Sequence, residues 1–210
     1  MIELVVMHGW GFDNRFWERL SPLLNNLSQQ HVDLSLFSDQ RAASFRRRPE
    51  SIFPYTIMDA GGRQNEAASG VHKNRGILIG HSLGFMHGIL HQQEWAGWVA
   101  INGFARFTPD CVAPAALRAM QQSFAKNPQQ VLRDFHARIG TEAADITTDA
   151  PHAAHLAEGL DELRDADVTD ILSSMKVPGL VLAARNDPLV PSAASLSLHH
   201  ASAASSKIAW

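Results

Sequence analysis

The 210 residues carry 18 Lys+Arg against 21 Asp+Glu, a formal net charge of −3, and 45% of them are hydrophobic. This describes one globular domain with room for an insertion, and no charge excess points to nucleic acid or to an anionic membrane. A single cysteine, Cys111, excludes an internal disulfide, and no apolar run approaches the ~20 residues that a membrane span needs.

The chain runs directly from Met1 into the apolar residues Leu4 to Met7, without a basic leader, so a soluble cytoplasmic protein is expected. Leu4 to Met7 reads as a buried strand that stops in the glycine turn His8-Gly9-Trp10-Gly11. Asp13 can cap a following helix marked by Phe16, Trp17, Leu20, Leu23 and Leu24. Val32 to Phe37 alternates apolar and polar residues and predicts a second strand. Residues 41–75 then hold seven of the basic residues and three acids, with poor periodicity and a Gly61-Gly62 break. A crossover helix belongs here, yet the composition reads as a long basic surface loop.

Further apolar runs at Ile77–Ile79, Trp98–Ile101, Leu180–Ala184 and from Ile208 predict four more strands, separated by helical stretches. Uniformly apolar strands alternating with helices predict an α/β fold with a mostly parallel sheet covered on both faces. Residues 105–171 interrupt the alternation with the helical marks Leu117, Met120, Phe124, Val131, Phe135 and Ile139. The expected organisation is a core over 1–104 and 172–210 with a helical cap over 105–171.

Gly80-His81-Ser82-Leu83-Gly84 is a G-x-S-x-G pattern with an apolar run before it and helical spacing after it. Such glycines allow a sharp strand-to-helix turn that holds a serine hydroxyl outward. Ser82 is therefore the expected nucleophile, and the helix start supplies the Leu83 amide to a developing oxyanion. The turn after the first strand can aim the Trp10 amide at the same oxyanion, with its indole walling an acyl pocket. His81 is expected to point away from the hydroxyl. Asp187, in Asn186-Asp187-Pro188, follows the fifth strand at the sheet edge where active sites of parallel sheets form, in position to orient an imidazole.

The histidine that completes such a triad should follow Asp187 by a helix and one more strand. His199 and His200 come only 12 and 13 residues later, inside the expected helix over 193–204, and the chain stops at Trp210. Truncation just before the base is the expectation, with His199 or His200 as the alternative base. His87 and His91, with Glu94 beyond, and His152 and His155, with Glu158, have no further ligand evident. They are expected to be surface or packed histidines, and neither a metal nor a cofactor is expected.

Together these motifs resemble the α/β hydrolases, and more narrowly the pimeloyl-acyl-carrier-protein methyl ester esterases of biotin synthesis. The similarity lies in Leu4 to Gly11, in the Gly80–Gly84 elbow, in Phe135 to Glu142, and in Leu156 to Val168 leading to Asp187 and Leu189-Val190-Pro191. It departs from the family in lacking the usual first two strands and the C-terminal histidine loop, and across residues 41–75. The resemblance implies hydrolysis of a pimeloyl methyl ester delivered on acyl carrier protein, by a monomer. It also implies that Phe135, His136, Ala137, Arg138 and Ile139 line the entrance for the acyl chain. Independently, Arg106, Arg118, Lys126, Arg133 and Arg138 outnumber the acids over 104–140 and could steer an acidic carrier. A general carboxylesterase or a catalytically impaired binding protein are the competing expectations.

Overall fold

In the computed structural model, which describes residues 3–24, 28–32, 76–91, 94–141, 149–202 and 206–210, the apolar runs and one more polar strand build one sheet. Its strands are β1 (Glu3–Met7), β2 (Ser28–Val32), β3 (Ile77–His81), β4 (Gly97–Ile101), β5 (Gly179–Leu182) and β6 (Ser206–Ala209). They lie in the order β2-β1-β3-β4-β5-β6 and every pair is parallel. Leu4 to Met7, Leu78, Trp98, Ala100 and Val181 are all buried, as a sheet covered on both faces requires. The chain steps from β1 outward to β2, then returns to the other side of β1 to lay down β3. That reversal opens a crevice beyond the carboxyl ends of β1 and β3, where ligands of open parallel sheets bind.

Two local expectations change. The helix expected after Asp13 is instead a pair of 3-10 turns, Asn14–Trp17 and Ser21–Leu24. Asp13 does cap the first, accepting from the Arg15 amide at 2.9 Å. The Ser21 hydroxyl donates to the Trp17 carbonyl at 3.0 Å, the acceptor that a continuing helix would give to the Ser21 amide, and Pro22 brings no N–H. Leu23 is left 80% exposed. A strand spans Ser28–Val32, in register from Glu3↔Ser28 to Met7↔Val32, and so begins before the expected 32–37. Residues 33–37 and the basic stretch 41–75 lie outside the described residues.

α1 (Leu83–His91) follows β3 and is buried from Leu83 through Ile89. Its Gly84 has no room for a side chain, since a Cβ there would run into the carbonyl oxygens of Met7 and His8. After β4 come α2 (Pro114–Lys126), α3 (Pro128–Arg138), α4 (Ala150–Asp165) and α5 (Thr169–Ser174). Local chemistry sets their starts. Prolines occupy the first turns of α2, α3 and α4, where no N–H is needed. The Asn127 side chain accepts from the Gln130 amide at 3.1 Å, and that of Asp149 from the His152 amide at 3.2 Å.

The apolar faces of these helices meet: Leu117 and Phe124 of α2, Val131 and Leu132 of α3, and Leu156, Leu160 and Leu163 of α4 are buried together. Burial of each such side chain contributes about 1.5–3 kcal/mol. α6 (Ser192–Ala201) precedes β6 and buries Ala194 and Leu198. Among the described residues no helix is long and apolar enough to cross a membrane.

Candidate active site

Ser82 sits between the last residue of β3 and the first of α1, with φ +52°. A non-glycine residue in the left-handed region costs of order 1–3 kcal/mol and persists where the surroundings hold it there. Here its amide donates to the Ile101 carbonyl at 3.0 Å, and its carbonyl accepts from the Phe85 amide at 3.1 Å. Leu83 is the first residue of α1, so its amide is one of the donors that a helix start leaves without an intrahelical partner. The Leu83 side chain is buried and packs away from the site, near Gly159.

The turn after β1 lies directly beside the elbow. A Cβ on Gly9 would stand 3.1 Å from the Ser82 Cβ and 2.8 Å from His81 Nδ1, so only glycine allows this approach. Next to it, Trp10 is buried, and its indole N–H donates to the Leu156 carbonyl of α4 at 2.7 Å. The Trp10 ring meets Phe135 edge-on at 5.0 Å and Phe124 at 5.8 Å.

Asp187 is held from three sides. One carboxylate oxygen accepts from the amides of Leu189 and Val190, each at 2.8 Å. The other accepts from Asn102 Nδ2 at 2.7 Å. Asn102 directly follows β4 with φ +46°, and its side-chain carbonyl accepts from the Ala184 amide at 2.8 Å. This asparagine went unremarked in the sequence, although an Asn just past a strand is a residue that tolerates the left-handed region. It couples the end of β4 to the loop that carries Asp187.

Ser82, His81, Asn102 and Asp187 open into one cavity of about 820 Å³ whose walls include Trp10, Phe12, Phe16, Phe107, Leu117, Phe135 and Ile139. That volume lies within the range of small-molecule sites. His81, expected to turn away from the hydroxyl, lines this cavity and stacks on Phe16 at 4.4 Å. Burial pushes the His81 imidazole down to about 4, outweighing the nearby Asp187 carboxylate, so the ring is neutral at pH 7. Cys111 shares the cavity, but burial, with Asp110 and Asp187 nearby, pushes its thiol up to about 12. It stays a thiol at neutral pH and does not compete as a nucleophile.

Of the five consecutive residues expected at the acyl entrance, Phe135, Arg138 and Ile139 line the cavity. His136 and Ala137 do not. The 100° step of a helix turns His136 toward the core, where Nε2–H donates to the Gly11 carbonyl at 2.7 Å, and leaves Ala137 exposed. His199 and His200 stand on α6 away from the cavity lining, with His199 Nδ1 hydrogen-bonded to the Ser206 hydroxyl at 2.8 Å. His8 is buried and donates to the Gly9 carbonyl at 2.9 Å. Among the described residues no hydrogen bond joins a histidine to Ser82 or to Asp187. On the cap, Arg118, Lys126, Arg133 and Arg138 are exposed, whereas Arg106 is tied to Asp110 at 3.0 Å.

Residues 4–207 match the alpha/beta hydrolase family. The chain belongs to that family. It is 30% identical over 217 residues to the biotin biosynthesis bifunctional protein BioHC of Cellvibrio japonicus, covering 93% of this chain but 40% of that protein. It is 25% identical to the pimeloyl-[acyl-carrier protein] methyl ester esterase of Vibrio cholerae, over 94% of this chain and 81% of that one. Among solved structures it superimposes on an esterase from Exiguobacterium antarcticum with a TM-score of 0.69 at 15% identity, covering 100% of this chain and 82% of that one. A thermophilic esterase from Thermogutta terrifontis gives a TM-score of 0.67 at 16% identity, over 99% and 80%. By that match this chain is an alpha/beta hydrolase, and the relatives and solved structures it resembles include esterases.

Proposed function

We propose that this hydrolase cleaves the methyl ester of an extended acyl chain, a pimeloyl chain carried by acyl carrier protein, with Ser82 as nucleophile. The observation that carries the reading is the shared cavity: the elbow serine opens into an apolar volume walled by Trp10, Leu117, Phe135 and Ile139. Ser82 Oγ attacks the ester carbonyl, and the amides of Trp10 and Leu83 hold the oxyanion. The tetrahedral intermediate collapses, the bond to the methoxy oxygen breaks, and methanol leaves with the proton taken from Ser82. Water then attacks the acyl-enzyme and releases the acid, regenerating the hydroxyl. The exposed Arg118, Lys126, Arg133 and Arg138 on the cap suit the approach of an acidic carrier.

The proton passes through an imidazole that senses Asp187. His81 is the histidine that geometry favours over His199 and His200, because it shares the cavity with Ser82 and Asp187. A base must be neutral to act, and the His81 imidazole protonates only near pH 4. Activity that depends on it therefore persists through pH 5 and falls as pH drops through about 4. A His81→Phe variant that keeps full activity, or a wild-type profile breaking near the ordinary histidine value of about 6.5, removes His81 from this role.

The substrate reading is tested by comparing carrier-bound pimeloyl methyl ester with free pimeloyl methyl ester and with short p-nitrophenyl esters. A carrier-bound kcat/KM well above that of the free ester supports it. Equal rates on all three would leave a general carboxylesterase.

A further inference from the structure

His87 and His91 stand four residues apart on α1 and have no third ligand in their own stretch of sequence. The fold supplies one from a helix 71 residues further on. Glu162, on α4 of the cap, reaches across to α1 and places a single carboxylate oxygen, Oε2, 2.9 Å from His87 Nδ1 and 3.3 Å from His91 Nε2. The donor atoms of all three lie within 4.8 Å of one another. The two imidazole rings lie 4.3 Å apart and both turn toward the carboxylate. We propose that His87, His91 and Glu162 form a zinc-binding site that clamps the cap helix α4 to the core helix α1.

The ligand chemistry selects the metal. Two imidazoles and one carboxylate suit zinc and its first-row neighbours, whereas calcium and magnesium take sets made of oxygen. Zinc–nitrogen and zinc–oxygen bonds of about 2.0–2.2 Å in a tetrahedron set donors roughly 3.3–3.5 Å apart. The observed 2.9 and 3.3 Å separations reach that spacing by shifts of a few tenths of an ångström.

The protonation states also fit. Glu162 brings the one carboxylate to the cluster and meets both imidazoles through the same oxygen. Among the described residues neither Lys nor Arg pairs with Glu162, so the two imidazoles are its partners. An imidazole that ligates a metal is neutral and carries one proton. Moving it to the outer nitrogen frees the lone pair that faces the carboxylate.

None of the three residues lines the catalytic cavity, so the metal acts on the cap rather than on the reacting atoms. Its lever is short. Leu160 and Leu163 flank Glu162 on α4 and line the cavity, and the Leu156 carbonyl on the same helix accepts from the Trp10 indole. His91 and Glu162 keep 19% and 16% of their side-chain surface exposed, which leaves a path for the ion and a fourth position for water. A bound zinc stiffens the wall that the acyl chain lies against.

Zinc chloride titrated into the chelator-stripped 210-residue chain should bind one ion per chain, read by competition with a zinc indicator. At a hundredfold excess over Kd it should raise Tm by about 5–10 °C, while magnesium leaves Tm unchanged. His91→Ala and Glu162→Gln should each weaken zinc binding by more than the roughly 10–100-fold that loss of an outer-shell partner costs, and abolish the Tm rise. In the unmutated chain zinc should protect His91 from diethylpyrocarbonate, a readout that needs neither variant to fold. Absence of stoichiometric zinc binding would reduce the cluster to a hydrogen-bonded latch. Equal affinity in the variants, or unchanged labelling of His91, would place the metal elsewhere. Any of these results overturns the site.

Discussion

The elbow and the cap face each other across one cavity and are built in opposite ways. The elbow is made of backbone under constraint. Ser82 and Asn102 are both held in the left-handed region, and Gly9 and Gly84 sit where a single added carbon would meet neighbouring atoms. The cap consists of amphipathic helices that bury leucine faces against one another and leave their polar faces in water. Among the described residues, side-chain bonds join it to the core from Trp10 to Leu156, from His136 to Gly11, and from His87 and His91 to Glu162. On the proposed function, the reacting groups stand on the part that cannot adjust, and acyl selection falls to the part that can repack.

That division can be broken from either side. The largest effect belongs to Ser82→Ala. It should lower ester hydrolysis by roughly 10⁴-fold or more and leave the fold intact, as read by a short p-nitrophenyl ester and circular dichroism. A variant that keeps its rate would remove the serine from the chemistry. Gly84→Ala, two residues on, should instead act on stability. Its methyl group has backbone carbonyls for neighbours, so a loss of about 3 kcal/mol or more is expected in urea unfolding, and a neutral result would mean that the elbow can yield.

Asn102→Ala tests how far the rigid side extends. It removes the donor to Asp187 and the acceptor for the Ala184 amide, and should cost about 1–3 kcal/mol in unfolding together with a fall in kcat at unchanged KM. A rise in KM alone would mean that Asn102 serves substrate binding and not the positioning of Asp187. The smallest effect is expected on the cap. Phe135→Ala, in the cavity wall and against Trp10, should raise KM for long acyl esters by about tenfold and leave acetate esters nearly untouched. Equal losses on both would show that the cap positions the chemistry as well.

The same contrast separates what a reader of the sequence could see from what remained hidden. Five of the apolar runs became β1, β3, β4, β5 and β6 near their expected places, because a strand buried within a sheet writes its burial into consecutive residues. β2 could not be placed that way. Ser28–Val32 is largely polar, and its position follows from pairing with β1. The turns after Asp13 were misread as a helix because apolar spacing says nothing of a serine hydroxyl taking the carbonyl that the helix needs.

The sequence by itself determined the family, the elbow at Ser82 and the helical character of 105–171, since these rest on glycines and apolar spacing acting within a few residues. Only the tertiary structure decided which side chains meet across long separations. Asn102 reaches Asp187 over 85 positions, and Glu162 reaches His87 over 75. His81 faces the cavity because Phe12 and Phe16 pack against it from the loop after β1. Such meetings depend on the order in which parallel strands are laid beside one another, and no local periodicity records that order.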